Sequence, residues 1–71
     1  MNRVRPLKNV QEIMKDKGFT LTALSFHSGI DLARLSRITN GWVLPSERDR
    51  QRISDTLGVS PRVLFPEISG N

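Results

Sequence analysis

Between residues 20 and 41 runs a stretch, TLTALSFHSGIDLARLSRITNG, that limits the folds open to this chain more than any other. Two short segments with apolar residues at helical spacing are separated by a single glycine. In the first, Leu21, Leu24, Ser25 and Ser28 fall on one face; in the second, Leu35 and Ile38 repeat at i, i+3. Thr20 and Asp31 stand where each helix would begin, with side-chain oxygens able to accept an otherwise orphan backbone N–H. Asp31 also suits the positive end of a helix. Gly29 occupies the corner, where a left-handed conformation costs glycine little, and Ile30 follows as an apolar plug. Asn40-Gly41 closes the second helix with residue types that tolerate positive φ. The reading is two short helices meeting at a sharp turn.

The second helix would present Leu32, Ala33, Arg34, Ser36 and Arg37 away from its Leu35/Ile38 face. That outer side is small, partly apolar and cationic. Short side chains let a backbone approach, guanidinium groups reach guanine edges or phosphates, and methyl groups touch thymine. The composition suits a helix entering the DNA major groove.

At this point the chain resembles a known family, the lambda-repressor-like helix-turn-helix domains of the Cro/repressor (XRE) type. The residues that carry the resemblance are Gly18, Thr20, Leu24, Ser25 at the usual alanine position, Gly29-Ile30, Leu35-Ser36-Arg37-Ile38, Asn40-Gly41, Pro45, Leu57-Gly58-Val59-Ser60 and Leu64-Phe65. Each motif alone is weak; in order and at family spacing, roughly from Val10 to Phe65, they are specific. The resemblance implies an all-α, compact five-helix domain. Its implied function is sequence-specific binding of double-stranded DNA by a small transcriptional regulator, a repressor of phage or prokaryotic type.

The bulk properties agree without deciding. The 71 residues suffice for one small domain. No cysteine is present, which excludes disulfides and suits a cytoplasmic location, and a single histidine cannot build a metal centre. No apolar run approaches a membrane span, and no signal-like segment opens the chain. A net charge of +4 fits a nucleic-acid partner but is shared by other basic proteins.

Residues 1–6, with Arg3 and Arg5, read as a flexible basic arm, either frayed or following a phosphate strand. Residues 7–17 read as a helix with Val10, Ile13 and Met14 inward. In related domains arginine often stands at the position of Met14, paired with an acid at the position of Thr39. Both partners are absent here, so Met14 is expected to lie near Thr39. Trp42 is open to two readings, a core lid or an indole at the DNA edge, with Val43 and Leu44 as alternative lids. Residues 46–57 form a fourth helix whose Ser46 and Asp49 match capping-box spacing. Its face at Glu47 and Arg50 is expected to be poorly buried, with alternating charges toward solvent. Ser60-Pro61 opens a short fifth helix, and residues 66–71 read as a disordered tail.

The proposed contacts follow. Backbone N–H groups from Thr20 to Thr22 would hold one phosphate. Leu32, Ala33, Arg34, Ser36 and Arg37 would meet bases or backbone, and Asn40 and Trp42 would grip the next phosphate. The family often carries glutamine where Leu21 and Leu32 stand, so Arg37 is expected to take a larger share of the readout. The resemblance implies a homodimer on half-sites about 34 Å apart, with Leu64, Phe65 and Ile68 as the expected surface. His27 and Asp31 suggest a catalytic pair, but the corner separates them and no oxyanion or phosphate-loop elements accompany them. No catalytic residue, cofactor or metal is therefore expected. The rival reading is a protein-interaction module or antitoxin on the same fold, for which Phe26, apolar on an outer face, would serve as a contact.

Overall fold

Short-range capping explains where the helices begin. The computed structural model describes residues 7–66 and contains α1 (Lys8–Lys17), α2 (Leu21–Ser28), α3 (Leu32–Thr39), α4 (Glu47–Leu57) and α5 (Pro61–Leu64), with no strand among the described residues. The basic arm assigned to residues 1–6, most of the tail and Ile68 lie outside the described residues. Thr20 Oγ1 accepts from the Ala23 N–H at 3.1 Å, and Asp31 Oδ2 from the Arg34 N–H at 3.2 Å. Ser46 and Asp49 form a reciprocal capping box, the Asp49 N–H donating to Ser46 Oγ at 3.1 Å and the Ser46 N–H to Asp49 Oδ2 at 2.9 Å. Ser60 caps α5, with Pro61 in its first turn. α1 has no side-chain cap. Instead the Leu7 N–H, just before it, donates to the Thr39 carbonyl at 3.2 Å and ties the first helix to the end of the third.

Every helix contributes to one core. Val10, Leu24, Leu35, Ile38, Ile53, Leu64 and Phe65 are all but completely buried, joined by Leu7, Met14, Ile30 and Leu57. α2 packs on α3 and α4, and α1 packs on α3, α4 and α5. Burying a side chain of this size stabilises by about 1.5–3 kcal/mol, so these contacts, rather than helix propensity, hold helices as short as eight residues. Thr39 is buried at 4% exposure and Met14 at 8%. Besides the Leu7 N–H, the Thr39 carbonyl accepts from Gln11 Nε2 at 2.9 Å, one turn before Met14.

The core takes in two residues placed outside it by sequence and settles which residue is the lid. Leu64 and Phe65, expected on a dimer surface, are 1% and 0% exposed. On a helix of four residues the backbone hydrogen bonds from Leu64 and Phe65 back to Ser60 and Pro61 turn both side chains inward, and Val63 is left outside at 53%. Trp42 is not the core lid, being 56% exposed, and neither is Leu44 at 57%. Val43, which packs against the core, and the buried Pro45 close that end instead.

Candidate nucleic-acid interface

The corner between α2 and α3 sets the geometry of the outer face. Gly29 has φ of +76°, and its N–H donates to the Ser25 carbonyl at 3.0 Å. Ser25, standing where the family usually has alanine, donates its hydroxyl to the Ile30 carbonyl at 2.6 Å, and the Ile30 N–H donates to Ser28 Oγ at 3.2 Å. The turn is thus fastened on both sides of the glycine, with Ile30 plugged into the core at 4% exposure.

α3 then divides cleanly. Leu35, Ile38 and Thr39 are buried, while Ala33 and Arg37, one turn apart, are exposed on the opposite side. Leu32, at 43% exposure, and the half-buried Ser36 flank them. Among the described residues none pairs with the Arg37 guanidinium. Its carbonyl, by contrast, accepts the Trp42 N–H at 2.8 Å and the Val43 N–H at 3.2 Å, closing the helix where Gly41 takes φ of +83°. Asn40 turns its amide back onto the Ser36 carbonyl at 2.9 Å, so one of its donors is engaged within the helix. At about 1.5 Å rise per residue the eight residues of α3 span about 12 Å, comparable to the width of the major groove.

α2 contributes its start. Thr20 and Thr22 are exposed. The Thr20 cap takes the Ala23 N–H, so the N–H groups of Leu21 and Thr22 precede the first intrahelical bond and sit at the positive end of the helix, a setting that favours an anion.

Arg34, expected at a base or phosphate, pairs in the protein without DNA with Asp49 of α4, Nη2 lying 2.6 Å from Oδ2 and Nε 3.5 Å from Oδ1. Arg34 projects about a quarter turn from the buried side of α3, and so reaches the flank where α4 begins. The Asp49 side chain is only 11% exposed, that of Arg34 43%. Burial alone would push the Asp49 carboxyl up. The hydrogen bonds from Arg34 and Ser46 and the guanidinium charge outweigh it and hold Asp49 below the usual carboxylate range. The same hydrogen bond and charge raise Arg34. Asp49 is the residue that sequence reasoning missed. The Ser46 spacing marked it as a cap, but nothing local linked it to a side chain fifteen positions earlier.

His27 is exposed and lies edge-on to Phe26 at 5.2 Å and to Phe19 at 6.0 Å, on the outer side of α2. Phe26 itself is 82% exposed. No cluster of His, Cys, Asp and Glu suited to a metal occurs among the described residues, and none of their helices is long and apolar enough to cross a membrane.

Neither a curated protein nor a solved structure gives a significant match to the chain. A family model does: the helix-turn-helix model HTH_3 matches residues 10–64, which take in all of the corner, the outer face of α3 and α4. With the Gly29 corner, the short α3 and the α4–α5 support all inside that match, the chain belongs to the helix-turn-helix family of the Cro/repressor (XRE) type, a family of DNA-binding transcription regulators.

Proposed function

We propose that this protein binds double-stranded DNA sequence-specifically as a homodimeric transcriptional repressor, with α3 in the major groove. The observation that carries the reading is the division of α3: a core side of Leu35, Ile38 and Thr39 against an open side of Ala33, Arg37 and their flanking residues. Ala33 lets the backbone approach the base edges, Arg37 supplies a bidentate donor for guanine, and Leu32 gives apolar contact to thymine methyls. The N–H groups at the start of α2, beside Thr20 and Thr22, take one phosphate, while Asn40's remaining amide donor and the Trp42 loop take the next. Because Leu21 and Leu32 replace amide side chains common in the family, Arg37 carries the larger part of discrimination.

Dimerisation matches the dimensions. The protomer measures 29 × 26 × 21 Å, so two copies fit side by side on half-sites about 34 Å apart. With Leu64 and Phe65 inside the core, the exposed Val63 of α5 and the half-buried Ile13 of α1, ringed by Asn9, Glu12 and Asp16, offer an apolar patch for the partner protomer.

Selection from random duplexes followed by footprinting tests the reading. A motif with two-fold symmetry and half-sites one turn apart is expected, with salt-sensitive affinity. Arg37→Ala should weaken binding by about 1–3 kcal/mol and relax selectivity at one base position. Recovery of no motif, with no binding at low salt, would refute it. The exposed Phe26 favours an added protein contact on α2, as in an antitoxin or anti-repressor target, and this contact does not compete with the α3 face.

A further inference from the structure

One carboxylate joins the candidate DNA-reading helix to its neighbour. Asp49 Oδ2 accepts from Arg34 Nη2 at 2.6 Å and from the Ser46 backbone N–H at 2.9 Å. The same side chain therefore completes the capping box of α4 and holds the flank of α3. Nearly enclosed at 11% exposure, it has little freedom to swing away, whereas Arg34, at 43%, sits at the edge of the outer face. A long cationic side chain at such an edge has two destinations, the first turn of α4 or the sugar-phosphate backbone of a duplex. The two compete, because a guanidinium forked onto a carboxylate has its charge neutralised and two of its five N–H donors committed.

The distinction matters for selectivity. A phosphate contact strengthens binding to every sequence alike and carries no base information. A cation released at this edge would raise affinity for all duplexes and dilute the contribution of Arg37. We propose that Asp49 is a specificity-determining positioning residue: by keeping Arg34 on α4 it withholds that cation from the DNA backbone and leaves recognition to Arg37 with the short side chains of Ala33 and Ser36. Arg34 is then a strut between helices and makes no contact with the duplex. This rests on the duplex-binding reading above.

The test uses the full chain, the selected duplex and a shuffled duplex of the same composition, titrated over a range of salt. Asp49→Asn keeps an oxygen for the Ser46 N–H but loses the charge that holds Arg34. It should bind the shuffled duplex more tightly, steepen the dependence of log K on log salt by about 0.9 for the phosphate gained, and lower the ratio of selected to shuffled affinity. Arg34→Gln should leave the wild-type slope unchanged, and in the double variant the slope should return to the wild-type value. In the wild type, adding the selected duplex should move the Arg37 Nε–H resonance and leave that of Arg34 in place; this measurement decides the matter even if Asp49→Asn does not fold. An Arg34 resonance that moves with the duplex, a slope that falls by about 0.9 in Arg34→Gln, or unchanged slope and selectivity in a folded Asp49→Asn would each overturn the proposal. Wild-type binding with those results strikes only the role of Asp49. Absence of any wild-type duplex binding removes the underlying reading and this one with it.

Discussion

Replacing Gly29 by alanine isolates what the helix-turn-helix corner requires. The residue has φ of +76°, a left-handed conformation that costs an L-residue with a Cβ about 1–2 kcal/mol. Space is not the obstacle. A Cβ built there meets only Arg52 Nη1, at 3.8 Å, an ordinary contact with the end of a flexible side chain. Alanine also restricts the unfolded chain, which returns about 0.4–1 kcal/mol. The net loss should be about 1 kcal/mol, seen as a fall in Tm of roughly 4–8 °C for a domain of this length. Gly58→Ala is the matched control, with φ of +70° and nothing within 4 Å of the added carbon. The two substitutions should cost the same within a few tenths of a kcal/mol, and Gly29→Asn should cost less than Gly29→Ala because asparagine tolerates the left-handed region. Thermal and urea unfolding followed by far-UV circular dichroism measure all three. A loss above about 3 kcal/mol for Gly29→Ala beside a small one for Gly58→Ala would show that the corner is closed by packing and not by backbone conformation. No loss at either site would show that positive φ carries no penalty in this chain.

Other expectations concern the core and the ion pair. Phe65→Ala should cost about 3–5 kcal/mol, a large share of the roughly 4–11 kcal/mol usual for a chain of 71 residues, while Phe26→Ala, at a site 82% exposed, should change stability by less than about 0.5 kcal/mol; equal effects would contradict the burial assignment. Asp49 is held below its ordinary range, so its contribution is complete above that range and fades as pH drops through the folded value. The stability gap between wild type and Asp49→Asn should therefore be widest near neutrality and narrow in acid, and a gap that widens on acidification would reverse the sign. The raised Arg34 loses its contribution only when pH climbs through its folded value, beyond the range in which such unfolding is measured. Ser54 is 3% exposed and its hydroxyl has no hydrogen-bond partner among the described residues, so Ser54→Ala should stabilise by about 1 kcal/mol, and urea unfolding showing a loss would point to a partner elsewhere in the chain.

Features that depend on neighbouring residues were readable in the sequence. Thr20, Asp31, Ser46 and Ser60 cap the helices they were assigned to because a cap reaches only two or three positions along the chain. The alternation of buried and open positions along α3 follows from helical spacing. What stayed hidden depends on how helices meet. The Arg34–Asp49 pair joins residues fifteen apart, and its existence follows from the angle at which α4 leaves the Pro45 loop. The facing of Leu64 and Phe65 was equally hidden, since a helix of one turn has too few positions to declare an apolar side. Trp42 had two readings because a large amphipathic ring suits either a lid or a surface, and the choice fell to the buried Pro45 and to Val43 beside it.

The strut between α3 and α4 bears on how a new binding preference is installed in this scaffold. Residues at 32, 33 and 37 are open to exchange with those of another helix, since their side chains are exposed and no hydrogen bond or ion pair ties those side chains to another described residue, while the hydroxyl of the half-buried Ser36 meets Asn40 at the end of the same helix. Position 34 travels with position 49. A transplant that brings a neutral residue to the former leaves an enclosed carboxylate without its cation at the head of the next helix, and the graft gives up part of its fold stability whatever its selectivity.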